Sequence, residues 1–511
     1  MTTINKRDFL VSAGAVTAVT ALGFGSRAAQ AAKAKIWDLI VVGGGNAGLP
    51  TAIFAAARGA SVAIVEAAGL LGGTLHLSSG QMSAAGTQLQ RERGINDSPQ
   101  SHYDDVMRIS KNTVNPEILR LTTSAAAPAF DWLMANGFKP IAEHPITGTT
   151  HEPYSQPRYA WAREGGRAIL RVLNEQLAPH VAAGRVAVLT GHSAAELVQE
   201  RSTGAVVGLI VTDPNGKRVT LRARRVALTS GGYTANPAMF LKYEGVKTHS
   251  RATYPFSQGI GLELGLAAGG FIRGGEHHTP LFGAVLADAE SPSSVRAMAR
   301  HFPPERQPWE ILVDAEGKRF LREDVPSHDA YEQALAALPN ERCWFVYDHA
   351  IHTQAPQLVR GGFSGPWTQA DSERAFANGE HGFYKAADLG ALARTAGIDA
   401  KGLADTVAQY NRGRAAGNDV FGRQHMPLPI GAGPFYAVEI SSWNLLSYAG
   451  VAVDNRLRLI RSDGSIIPNL YAAGELLGMG TVMGKSLPGG MSVMPALSLG
   501  RLLGKEFIDF G

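Results

Sequence analysis

The chain has 511 residues, more than one simple hydrophobic core accommodates, and this predicts two domains. Hydrophobic residues make up 45% and charged residues 18%, a globular rather than a disordered composition. The net charge of +4 is small and scattered, with no basic block interleaved with aromatics, which excludes a nucleic-acid partner. A single cysteine, Cys343, excludes an intrachain disulfide, a cysteine-based metal site and a C-x-x-C-H haem attachment, and no other metal site is expected.

Residues 1–31 read as an export signal. A basic pair, Lys6-Arg7, precedes an apolar run from Leu10 to Phe24, and Ala29-Gln30-Ala31 fits an A-x-A cleavage site. The run is too short and too rich in small residues to span a bilayer, so no integral membrane segment is expected. The stretch N-K-R-D-F-L resembles the twin-arginine signal with Lys in the first Arg position. That route carries folded, cofactor-loaded proteins. The expected location is periplasmic, with a cytoplasmic protein carrying a frayed tail as the alternative.

Ile36 to Val42 is a short apolar run of strand type that ends in glycines. Gly43, Gly45 and Gly48 form G-x-G-x-x-G, an Ala-rich stretch of helical length follows, and a second strand closes at Glu66, eighteen residues after Gly48. Glycines there let backbone N–H groups at a helix start approach a pyrophosphate, and Glu66 can accept hydrogen bonds from an adenosine ribose. Shortly afterwards LLGGTLHLSSGQMSAAGT supplies a second small-residue loop containing Gly72, Gly73, Ser79 and Gly80. Far downstream, VALTSGGYTAN (residues 226–236) and IPNLYAAGELLG (467–478) are short strands ending in small residues, and Glu475 is placed to meet ribityl hydroxyls. Several separate segments converging on one nucleotide describe FAD rather than NAD.

These motifs, together with GKRFLRED at residues 317–324, resemble the fumarate reductase/succinate dehydrogenase flavoprotein superfamily and follow its order. The resemblance covers nearly all of residues 36–510, and in loop pattern it is nearest to the 3-ketosteroid dehydrogenase-like, ketone-desaturating branch. It implies an α/β fold: a discontinuous Rossmann-like FAD-binding domain (34–272 and 428–511) with an inserted α+β capping domain (273–427). Gly274-Gly275 would serve as the hinge. The implied cofactor residues are Gly43, Gly45, Asn46, Ala47, Gly48, Glu66, Ala67, Gly72, Gly73, Thr74, Ser79, Gly80, Gln81, Ala194, Thr229, Gly231, Gly474, Glu475, Gly490, Ser492 and Val493. Thr74 stands where relatives with covalent FAD carry a histidine, so the FAD is expected to be non-covalent.

The same resemblance implies what the substrate is not. Fumarate reductases hold two carboxylates with an arginine, a histidine and an arginine proton donor. Those positions fall here on Leu487, Leu446 and the Ser327–His328 region, and only a cap histidine, His278, is kept. Unpaired carboxylates are costly to desolvate, so a dicarboxylate is disfavoured. The steroid branch places tyrosines at Leu487 and Ser327, so its hydroxyls are missing too. The polar segment HEPYSQPRYAWAREGGRA brings Tyr154, Arg158 and Tyr159 instead, and Tyr448 adjoins Leu446. Tyr159, His278, Tyr448 and His328 are therefore the catalytic candidates, and Leu487, Leu446, Tyr154 and Arg158 the pocket candidates.

The expected enzyme is an FAD-dependent dehydrogenase or reductase of CH–CH bonds next to a carbonyl. It would interconvert a small or cyclic ketone and its enone through a mostly apolar pocket, passing electrons to a quinone or a separate carrier. Reduction of an unsaturated monocarboxylate, with Arg158 or Lys485 as clamp, is the second reading. A non-catalytic flavin-binding electron carrier is the third.

Overall fold

The structure, a computed structural model, describes residues 35–148, 152–362 and 365–510. The expected export signal lies outside the described residues. The chain divides into two compact units. One holds residues 35–245, Thr253–His278 and 446–510; the other holds Val246–Ala252 and Thr279–Leu445.

The larger unit is built on a six-stranded sheet in the order Arg458–Ile460, Ile466–Ala472, Val226–Leu228, Leu39–Val42, Val62–Glu66, Val186–Thr190. All neighbours are parallel except the edge strand Arg458–Ile460. Leu39–Val42 and Val62–Glu66 are buried at every position, as strands covered on both faces must be, and their unbroken apolar runs reflect it. The register pairs Val42 with Val65 and with Leu228, and Leu228 with Ala472. Four parallel strands thus end level, and Gly43, Glu66, Thr229 and Ala473 emerge along one carboxyl edge. Leu39–Val42 is where strand order reverses, the place such sheets open a crevice for ligands.

A second sheet of four strands, Ile36–Trp37, Arg218–Ala223, Val206–Thr212 and Ser193–Gln199, belongs to the same unit. The small-residue loop that follows Glu66 and the polar aromatic segment meet in a short antiparallel pair, Met82–Ser83 with Tyr159–Ala160. The helix Pro116–Ala135 starts at Asn115, whose side chain accepts the N–H groups of Glu117 and Ile118 at 3.1 Å each.

The smaller unit is an antiparallel sheet covered by helices, among them His328–Ala336, Leu389–Ala396 and Ala400–Ala416. Phe435–Trp443 pairs with Arg342–Asp348 over seven residues, so this unit extends past residue 427 and the return comes at Leu446. Gly274 does not lie at the division between the units. A Cβ there would sit 2.8 Å from both Thr481 N and Tyr448 O, so its backbone is wedged inside the larger unit.

GKRFLRED forms an ion cluster within the smaller unit. Arg319 bonds both oxygens of Glu323, at 2.7 and 2.5 Å, and both of Asp419, at 2.5 and 3.1 Å, with all three side chains almost fully buried. Neutralising one partner leaves a buried cation short of its counter-charge, which costs more than a surface pair could. Asp419→Asn is expected to lower stability by about 3 kcal/mol, read as a fall in the denaturant midpoint with unchanged slope.

Candidate functional site

The carboxyl edge of the six-stranded sheet carries the first group of polar contacts. Gly44 N–H and Ala68 N–H donate to the two oxygens of Glu66, each at 2.8 Å, which fixes the carboxylate at the end of its strand. A Cβ on Gly48 would lie 1.9 Å from Gly43 O, so only glycine lets the helix Gly48–Ala57 start this close to the strand. Gly72 N–H donates to Gly44 O at 2.8 Å, and a Cβ on Gly73 would lie 3.3 Å from Gly45 Cα. The two glycine-rich loops therefore touch backbone to backbone. Thr229 Oγ1 donates to Val42 O and Gly43 O, and His192 N–H bonds Glu66 O at 3.0 Å, which brings the segment leading to Ala194 beside Glu66.

The C-terminal helix Val493–Leu502 closes this edge. Asn46 Nδ2 donates to Val493 O at 2.7 Å, while Asn46 Oδ1 is buried with no partner among the described residues. Neither this helix nor Gly48–Ala57 has a side-chain N-cap bond, and Gly48 N–H and Val493 N–H, which bond nothing among the described residues, are available to a ligand. An orphaned amide oxygen, two uncapped helix starts and glycine cradles fit a dinucleotide carrying phosphates and hydroxyls. His76 turns its Nε2 to Leu71 O at 2.8 Å, and a Cβ on Gly72 would strike that ring at 2.6 Å. The imidazole thus braces the second loop.

Glu475 lies just beyond the aligned strand ends. Its Oε1 accepts Ser447 N–H and Ser447 Oγ, each at 2.9 Å. Burial pushes its carboxyl up to about 7, against the lowering effect of the Ser447 bonds and with help from the neighbouring Glu244. A Cβ on Gly232 would be 2.4 Å from Glu475 Oε1, so the strand end at Gly231-Gly232 and this acid need each other.

The loop Gly484–Gly490 is pinned at both ends. Lys485 N–H donates to Thr113 Oγ1 at 2.8 Å, and Tyr154 Oη donates to Gly489 O at 2.5 Å. Gly490, at φ +77°, lies against the strand Met82–Ser83, where a Cβ would be 2.4 Å from Met82 C. Leu487, at 8% exposure, is buried between these anchors, and Leu446 is half-buried. The ring of Tyr159 packs on Gly489, whose Cβ would be 3.1 Å from its hydroxyl-bearing carbon. Burial pushes the Tyr159 phenol up, and its hydroxyl makes no hydrogen bond among the described residues.

Two of the pocket residues expected from sequence are committed elsewhere. Arg158 directs all of its guanidinium nitrogens to Asp97, Asp105 and the serine Ser101, at 2.8 to 3.3 Å, with its side chain fully buried. It is a structural ion pair and not a carboxylate clamp. Tyr154 spends its hydroxyl on Gly489 O and touches Ser83 Oγ at 3.3 Å, so it supports the loop from behind. Ser83 Oγ in turn is 3.2 Å from the Nε2 of His102, a fully buried imidazole held neutral because desolvation, and then the charge of Arg158, lowers its pKa to about 3.

A second constellation forms around Glu244, a residue that sequence reasoning missed. His278 Nδ1 lies 3.0 Å from Glu244 Oε2; Tyr233 Oη and Tyr448 N–H donate to Oε1 at 2.5 and 2.6 Å. His278 and Tyr448 meet edge to face at 5.6 Å. The structure therefore joins two of the catalytic candidates and places Tyr159 at the loop. His328 belongs to the other unit, where it stacks on Phe302 at 4.2 Å and lies 3.3 Å from His301. The only available signal for Glu244 was a lone acid just before the helix-ending Gly245, which resembles any surface position. Among the described residues no cluster of metal-ligating side chains occurs, and no helix is long and apolar enough to cross a membrane.

An FAD cradle beside a tyrosine, a histidine and an apolar loop defines an FAD-dependent oxidoreductase of carbon–carbon bonds. The chain belongs to the FAD binding domain family, which matches residues 38–491. It is 26% identical over 471 residues to a fumarate reductase (cytochrome) of Shewanella frigidimarina, covering 92% of this chain and 76% of that one. It is also 26% identical to the vinyl phenol reductase of Lactiplantibacillus plantarum, over 90% of this chain and 94% of that one. Its fold is similar to that of the 3-ketosteroid delta1-dehydrogenase of Sterolibacterium denitrificans, with a TM-score of 0.71 at 19% identity, covering 93% of this chain and 99% of that one.

Two outcomes follow from this geometry. A carboxyl raised to about 7 favours the folded state below the unfolded value of 4.5 and loses that contribution as pH climbs to about 7. Removing FAD should therefore expose a fall in thermal stability between pH 4.5 and 7, of about 3 kcal/mol at full deprotonation, which Glu475→Gln flattens. Arg158→Met strands two buried carboxylates and is expected to cost about 3 kcal/mol of stability. Denaturant titration checks it, and the FAD-loaded variant that survives should keep its KM.

Proposed function

We propose that the enzyme interconverts a small or cyclic ketone and its enone, with FAD held non-covalently and electrons passing to a quinone or a separate carrier. The carrying observation is the commitment of Arg158 to Asp97 and Asp105 next to a loop whose tip is Leu487. A pocket wall without an available guanidinium does not offset the desolvation of a carboxylate, whereas a ketone needs only one or two neutral donors. Tyr159 supplies such a donor. The N–H groups of Gly489 and Gly490, which bond nothing among the described residues, supply others. The relatives share the breadth this requires, since one is named for fumarate and another for vinyl phenol, a substrate with no carboxylate.

FAD, when bound, would supply the hydride acceptor or donor. The chain's residues do the rest: Tyr159 polarises the carbonyl, His278 beside Tyr448 moves the proton on the adjoining carbon, and Leu487 with Leu446 excludes water. The helix start at Ser492–Val493 offers its N–H groups and its dipole to negative charge that builds up on the cofactor side. The export segment fits a periplasmic enzyme loaded with cofactor before transport.

Anaerobic addition of cyclic ketones is expected to bleach the flavin band near about 450 nm, and cyclic enones to restore it in reduced enzyme. Bleaching only by saturated monocarboxylic acids, or reoxidation only by unsaturated ones, overturns the ketone reading. Tyr159→Phe is expected to lower kcat by about 10²-fold while FAD content is unchanged.

A further inference from the structure

We propose that Glu244 is a positioning residue that holds the His278 imidazole in one tautomer, so that the pair works as a single proton-transfer unit. The inference rests on the reading of His278 given above and assigns a role to an acid outside the flavin cradle. Glu244 ends the helix Pro237–Glu244, and its side chain is fully buried. Burying a carboxylate is expensive unless donors surround it. Here three converge, and they come from three separate segments: Tyr233 Oη, Tyr448 N–H and His278 Nδ1.

A structural carboxylate could have been satisfied by the first two donors alone. The third is an imidazole nitrogen, and two aromatic rings help to fix the orientation of its ring. Phe240, one turn earlier on the helix that Glu244 ends, meets the His278 ring edge to face at 5.6 Å, and Tyr448 meets it at 5.6 Å. With Nδ1–H donated to Glu244 Oε2, proton exchange falls to Nε2. In the desaturating direction Nε2 takes the proton from the carbon next to the carbonyl, while bound FAD would supply the acceptor for the hydride of the next carbon. In the reducing direction it gives that proton back. Glu244 keeps the Nδ1 proton throughout and steadies the imidazolium, as an orienting carboxylate does.

The surroundings of Tyr448 are stitched by the same group. Three successive N–H groups are captured by buried side chains: Ser447 by Glu475 at 2.9 Å, Tyr448 by Glu244 at 2.6 Å, and Ala449 by Tyr233 at 3.0 Å. Among the described residues Glu244 and Tyr448 face His278 directly, with Tyr233 and Glu475 behind Glu244. Glu276 lies beside His277 at 3.6 Å.

The test uses FAD-loaded enzyme with isotope-labelled histidine, the His278 signals being assigned with His278→Gln. The ring nitrogens report their own protonation, which separates His278 from Glu475. In the parent, Nδ1 is expected to stay protonated, and Glu244→Gln should lower the imidazole's proton affinity about tenfold. Glu244→Asp should give an intermediate shift, and it carries the test if the glutamine variant does not fold. Unchanged ring signals in both variants overturn the proposal, whatever turnover shows. In the kinetic arm, Glu244→Gln should lower kcat at least about tenfold in the parent and not at all in a His278→Gln background. Additive losses overturn the pairing. Shifted ring signals in an enzyme that no ketone bleaches would support the pair and refute only the ketone reading.

Discussion

Everything chemical in this protein hangs on the level ends of four parallel strands. Because Val42, Val65, Leu228 and Ala472 lie in register, the residues that follow them emerge side by side although they are up to 430 positions apart in the chain. Backbone geometry does the sorting: each strand delivers its next three residues to one edge, and those residues are small ones, glycine, alanine, serine and threonine, with two acids. The acids are separated in role by their partners. Glu66 is tied by two backbone N–H groups at the end of its strand, and Glu475 is tied by Ser447, next to Tyr448.

The loop after Gly484 is shaped by a different logic. Its ends are fastened by hydroxyls, Thr113 on one side and Tyr154 on the other, and its tip is left apolar. Tyr154 acts from behind, since its hydroxyl shortens the reach to Gly489 O and leaves the N–H side of the same peptide facing away. A polarised peptide is a stronger donor. A loop with an apolar side chain at its tip can thus still present directional hydrogen bonding from its backbone.

The sequence was informative where spacing alone constrains geometry. Gly43, Gly45 and Gly48 with Glu66 announce a nucleotide cradle because that spacing lets backbone approach phosphate. It was uninformative where a side chain's role depends on which distant residue it meets. Arg158 reads as an available guanidinium until Asp97 and Asp105 are found on it, and Tyr154 reads as a substrate donor until Gly489 is found on it. Glu244 and Tyr233 carry no local sign at all, since their importance comes from contacts with residues 278 and 448–449. The unit boundary was placed too early because Phe435–Trp443 is apolar in a way either unit could use; its pairing with Arg342–Asp348 decides the matter.

The side chain of Asn46 reaches Val493 across 447 positions, Thr51 reaches Gly500 across 449, and Arg58 reaches Ile508 across 450. The first helix of the chain's nucleotide cradle is therefore completed by its last. Such contacts close loops of nearly the whole chain, and their entropy must be met before they return any stabilisation. During synthesis the glycine loops near residue 45 would leave the ribosome long before their partner helix exists. Cofactor capture then becomes a late event that waits for the helix Val493–Leu502.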